Sequence, residues 1–156
     1  MKTKWFWMMC MMIMASLVTV SCGDDDDEGG AGNAPEGTIT VNLTKNPNHI
    51  VSFGGNYGGM NWSSSDDNFF THDKILSLGE KSGLGSININ KIPESGWTNE
   101  TACKPGYAYI VRRGGVDGVY YYTGIYLVRH ITSTSGGIMG VEIQYCNFTP
   151  GKGWNQ

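Results

Sequence analysis

Residues Ile125 to Phe148 read IYLVRHITSTSGGIMGVEIQYCNF. Two runs rich in β-branched and aromatic residues, Ile125–Ser133 and Ile138–Phe148, flank the small residues Ser135, Gly136 and Gly137. Val, Ile, Tyr and Phe fit a pleated, half-buried surface, and glycine supplies the backbone freedom that a tight reversal needs. The segment therefore predicts two antiparallel strands joined by a short turn.

The same pattern repeats outward. Upstream, Tyr107–Arg112 and Val119–Tyr122 stand on either side of RRGGVDG, a glycine-laden bridge that reads as a hairpin loop. In Thr38–Leu43, Ile39, Val41 and Leu43 share one face of a period-two pattern, and Thr38, Thr40 and Asn42 share the other. Leu84–Ile92 repeats the idea, with Ile87 and Ile89 against Asn88 and Asn90. No stretch has the apolar spacing of a long amphipathic helix, although Asn68–Leu78 admits a helical turn. Nineteen of the 23 glycines fall in residues 37–156, about twice the average frequency, so turns must be frequent. These features predict an all-β fold: one domain over residues 37–156, built as a small antiparallel β-sandwich or barrel of about six to eight strands. Its length suffices for a single core.

The first 36 residues are of another kind. Lys2 and Lys4 precede an uncharged, apolar run of 16 residues, Trp5–Val20. That is shorter than the roughly 20 residues a spanning helix needs, and close to the apolar region of a secretory signal peptide. Val18-Thr19-Val20-Ser21-Cys22 then resembles a bacterial lipobox, with Thr19 where leucine is the commonest choice. An ordinary secretory peptide or a short uncleaved anchor would carry the same apolar run; the small residue before Cys22 favours the lipobox. The resemblance implies cleavage after residue 21, loss of Cys10 and lipidation of Cys22, with two or three acyl chains holding the protein to the membrane.

Asp24, Asp25, Asp26, Asp27 and Glu28 follow at once, within a stretch that offers nothing apolar to fold. Like charges extend such a tether, residues 22–36, to a reach of about 50 Å. A cysteine followed closely by acids is similar to the export signal of Bacteroidetes-type surface lipoproteins. That likeness implies an outer-membrane location facing the cell exterior. GYAYIVRR and YLVRHITSTSGGIMGVEIQY also resemble segments of an uncharacterised domain-of-unknown-function family found in such lipoproteins, a family to which no activity is attached.

Charge excludes some partners. Of the 11 basic residues, two lie in residues 1–22 and nine in 37–156; of the 14 acids, six lie in 23–36 and eight in 37–156. The domain is thus nearly neutral although the whole chain carries −3. It has no electrostatic footprint for nucleic acid. Two cysteines, Cys103 and Cys146, remain in it, and export favours a disulfide between them, worth about 4 kcal/mol by the loop-entropy argument. Two separately buried thiols are the other possibility.

Catalytic signatures are weak. His49, His72 and His130 stand far apart, and in Thr71-His72-Asp73 adjacent strand residues point to opposite faces, so adjacency alone makes no base–carboxylate pair. Ser63-Ser64-Ser65-Asp66-Asp67 lacks a nucleophile elbow and an EF-hand pattern. The reading is of a protein that is not an enzyme and needs no cofactor or metal. The aromatic residues carry more promise. Trp62, Trp97 and Trp154 sit in polar, glycine-rich surroundings, where an exposed indole offers a sugar ring a flat apolar platform. Plugs for the ends of a small β domain would use the same residues. The expected site is Trp62 and Trp97 as platforms with Asn61, Asp66 and Asn99 as hydroxyl partners, on a surface that Tyr120, Tyr121, Tyr122 and Tyr126 extend. Beyond the membrane, the expected partner is a glycan or other captured ligand. The alternative is a structural or protein-interaction module, an accessory subunit or adhesin component, meeting a surface protein through an edge strand or an aromatic patch.

Overall fold

The computed structural model describes residues 33–45, 49–116 and 118–155. Cys22 and the acids Asp24, Asp25, Asp26, Asp27 and Glu28 lie outside the described residues. The strands are β1 (Ile39–Thr44), β2 (Ile50–Ser52), β3 (Gly59–Ser63), β4 (Asn68–Glu80), β5 (Thr98–Ala102), β6 (Tyr107–Gly114), β7 (Tyr120–Thr132), β8 (Ile138–Thr149) and β9 (Gly153–Trp154). All pairings are antiparallel, in the order β1-β8-β7-β6-β4-β3-β2, with β5 added to β4 and β9 to β8. The fold is all-β, a sheet curled into a nearly closed barrel. Side chains of β8 bridge toward the β2–β3 hairpin: the Asn147 amide donates to the Phe53 carbonyl at 2.9 Å.

Alternation along β6, β7 and β8 creates two cores. Tyr109, Val111, Ile125, Leu127, Val141 and Ile143 point inward and are fully buried with Trp62, Phe69 and Ile75. On the opposite face, Ala108, Ile110, Cys146 and Phe148 form a second cluster. A sheet face this apolar needs a cover, and residues 81–97 supply it by laying Leu84, Ile87 and Ile89 onto it. The period-two pattern of Leu84–Ile92 thus makes a plug, beginning with the 3₁₀ turn Leu84–Ser86, and not the expected strand. The inserted isoleucines meet the apolar face without needing a strand's ladder bonds.

Asn68–Leu78 is likewise no helical turn but most of β4, the 13-residue strand Asn68–Glu80. Its backbone pairs with neighbours on both edges, and this pairing overrides a weak local preference. The two runs Val119–Tyr122 and Ile125–Ser133 merge into the single strand β7 across Gly124. A side chain at Gly124 would press its first carbon to 2.7 Å from the Trp154 ring, so this glycine serves close packing within a continuous strand.

The expected disulfide is absent. Cys103 packs among the interior residues, whereas Cys146, next along β8 to the inward Tyr145, faces the outer cluster. The sheet separates the two thiols. Burial pushes both thiols above their ordinary range, and for Cys103 the nearby Asp67 carboxylate adds to the rise.

Candidate functional site

The geometry of interest arises from an interruption in β4. Phe69 pairs with Trp62 of β3 and Thr101 of β5, and Ile75 pairs with Val111 of β6 and Thr98 of β5. A strand has two edges, so β5 occupies one while β3 and β6 share the other, end to end. Between the last β3 partner, Phe70, and the first β6 partner, Lys74, residues 71–73 have no strand on that edge. The Thr71 hydroxyl spans the break, donating to the Gly59 carbonyl at 2.8 Å and accepting the Asp73 N–H at 3.1 Å.

A cleft of about 530 Å³ opens at this break, lined among others by Asn61, Phe70, His72, Asp73, Asn99 and Arg113. Its size falls within the range of small-molecule sites. Asp73 and Arg113 form its charged corner, Oδ1 to Nε 4.0 Å. Partial burial pushes the Asp73 carboxyl above its ordinary value, against the opposing pull of the Arg113 guanidinium and of His72. Gly58, at φ 80°, holds a backbone conformation that side-chain-bearing residues rarely adopt, and a side chain there would also have to displace the Asp73 carboxylate. The corner therefore offers a carboxylate, a guanidinium, an imidazole and the Asn61 amide around the half-buried Phe70 ring. Such a set hydrogen-bonds and orients a polar ligand.

The expected site residues disperse. Asn61 and Asn99 do meet at the cleft, but the Asn99 amide is consumed by the β4–β5 bulge. It donates to the Asp73 carbonyl at 2.6 Å and accepts the Lys74 ammonium at 2.9 Å. Trp62 is no sugar platform: it is 1% exposed inside the barrel, and its indole N–H donates to Asp67 Oδ1 at 3.0 Å. Trp62 has an inward position on β3, and the polar sequence after it is the β3–β4 turn. Asp66 accepts the Ser63 and Ser65 hydroxyls in that turn, outside the cleft. Trp97 lies on the outer face, half-buried, with its N–H on the Pro93 carbonyl at 2.9 Å.

The second carboxylate of the turn belongs to the architecture. Asp67, at φ 49°, receives Trp62 on Oδ1 and lies 3.0 Å from His130 Nε2 through Oδ2, without hydrogen-bond alignment at the histidine. It ties the β3–β4 turn to β7. Among the described residues, no three His, Cys, Asp or Glu side chains gather as a metal-holding group.

Sequence reasoning missed Asp73 and Arg113 because they are 40 positions apart and join only through the β4–β6 pairing. The Thr71-His72-Asp73 triplet was the available signal. At an unpaired edge, residues from both faces can reach one opening. No protein-family model, curated protein or solved structure matches the chain.

Proposed function

We propose that this chain is a lipid-anchored protein of the outer membrane, facing the cell exterior, whose barrel domain captures a polar ligand, a glycan by preference, without transforming it. The observation that carries the capture reading is the cleft at the β4 break, where Asn61, His72, Asp73 and Arg113 surround an apolar ring. Sugars present hydroxyls around C–H faces, and this set supplies donors, acceptors and a ring to match. The anchoring part rests on the lipobox-like residues before Cys22 and on the acidic run behind it.

Two experiments test the proposal. A glycan array probed with the full-length chain in non-ionic detergent should give binding that Arg113→Ala and Asn61→Ala both weaken; binding indifferent to both substitutions would remove the cleft from the reading. Cys22→Ser should release the protein from the membrane fraction, and unchanged fractionation would refute the anchor.

An interaction module is the second reading. It draws on β2, which pairs on one edge only among the described residues and displays Ile50 at 57% exposure.

A further inference from the structure

Arg112 and Arg113 are neighbours on β6 and meet opposite fates. Arg113 pairs with Asp73 at the cleft. Arg112 faces outward, its guanidinium carbon 4.3 Å from the Trp97 ring centroid and 4.6 Å from that of Tyr120. Rings on two sides hold a planar guanidinium at little entropic cost while leaving its N–H edge for a partner. The ion pairs among the described residues are Arg113–Asp73, Arg129–Glu142 and His130–Asp67, so no carboxylate of the described residues takes that edge.

A second observation points the same way. Lys74 of β4 stands directly opposite Arg112 in the ladder, and its ammonium rests on the neutral Asn99 amide. Like charges facing across a ladder repel. An anion between them would remove the repulsion and accept hydrogen bonds from both. The surroundings suit a sugar ring bearing that anion: Tyr120 is 52% exposed, and Tyr122 and Phe148 continue the aromatic row beyond it.

We propose that Arg112, flanked by Trp97 and Tyr120 and faced by Lys74, is a binding site for the carboxylate or sulfate of an acidic saccharide. The guanidinium takes two oxygens of the anion through its paired N–H groups, the Lys74 ammonium takes a third contact, and the exposed side of Tyr120 packs against the sugar ring. This site lies on the outer face and uses none of the cleft's charged pair, so it stands apart from the capture proposed there.

The test is titration of the full-length chain, in non-ionic polyoxyethylene detergent, with four polymers. Oligogalacturonate carries carboxylates and its methyl ester carries none; dextran sulfate carries sulfates and dextran carries none. Binding is expected for one or both charged polymers, and for neither neutral one. Which charged polymer binds identifies the anion. Arg112→Gln should weaken that binding by about tenfold to a hundredfold, the range for loss of charge-assisted hydrogen bonds. Arg112→Lys should also weaken it, because the charge remains while the fork and the stacking are lost. Tyr120→Ala, at a half-exposed position, should weaken it while lowering the melting temperature by no more than a few degrees. Asp73→Asn should leave it unchanged while altering any cleft binding. Equal binding of charged and neutral polymers, no binding of either charged polymer, or a charged-polymer affinity untouched by Arg112→Gln and Tyr120→Ala would each overturn the proposal.

Discussion

The β6–β7–β8 half of the barrel and the β4 strand are built from similar residues to different ends. Strands β7 and β8 pair along ten positions, from Tyr122 with Phe148 to Thr132 with Ile138, with single-residue irregularities. Inward positions fill one core and outward positions the other. By contrast, β4 pairs with β3, passes through three residues without a strand on that edge, and resumes with β6. A continuous ladder satisfies every backbone group and leaves no opening; a break in it exposes backbone and side chains together. The regular half therefore acts as a scaffold, and the candidate cleft sits at the interruption.

The most forceful way to break this contrast is to empty the scaffold. Ile143→Ala, at a fully buried inward position on β8, should lower unfolding free energy by about 2–5 kcal/mol in urea titration. A loss no larger than that of a surface substitution would show that the regular half is not the stabilising one.

Alkaline pH probes both regions through their thiols, Cys146 in β8 and Cys103 after β5. Each is raised above the ordinary thiol value of 9.0 in the folded chain. The folded state then keeps protons that the unfolded state releases, so stability is full below about pH 9 and falls as pH rises past it. Between pH 8 and pH 10 the loss of stability should steepen as the unfolded-state thiols ionise while the buried ones stay protonated. Cys146→Ala and Cys103→Ala, each followed by thermal melts across that range, should flatten the slope separately. A slope unchanged in both variants would assign the effect to the buried tyrosines Tyr109 and Tyr145, whose hydroxyls burial also raises.

The break in β4 is sharpened by Thr71→Val, which keeps the shape and removes the hydroxyl that spans the gap. The expected loss is about 1–2 kcal/mol, read by denaturant midpoint, with faster amide exchange at Asp73. Unchanged exchange there would mean that the gap is held by something other than this hydroxyl. The smallest effect belongs to the cleft itself. Arg113→Ala, at a 46%-exposed side chain, should change stability by no more than about 0.5 kcal/mol while reducing ligand capture. A large stability loss would make the charged corner part of the scaffold.

How far these regions could be read in advance follows from how local their causes are. Tyr107–Arg112, the turn at Gly136-Gly137 and the strand Ile138–Phe148 were legible because alternation and glycine act within a few residues. Asn68–Leu78 was misread because its polar and aromatic mixture carries no clear period, and only pairing on both edges makes it extended. Leu84–Ile92 carried a true period of two, yet alternation marks only which residues are buried. It does not say whether a ladder or a plug buries them. Trp62 looked exposed in the polar company of GMNWSSS, but the alternation of Met60 and Trp62 along β3 turns both inward. The cysteines illustrate the same limit, since two thiols can bridge only if the fold brings them to one side of the sheet.

By itself the amino-acid sequence determined the all-β class and the positions of the strongest hairpins, because β-branched alternation and glycine turns are short-range physics. Tertiary structure alone decided where β4 changes neighbours, which of two adjacent arginines meets an acid and which stands between aromatic rings, and which asparagine is taken up by the β4–β5 bulge. These outcomes depend on residues 8 to 40 positions apart meeting in the folded sheet, and no local pattern encodes which edge a strand will find.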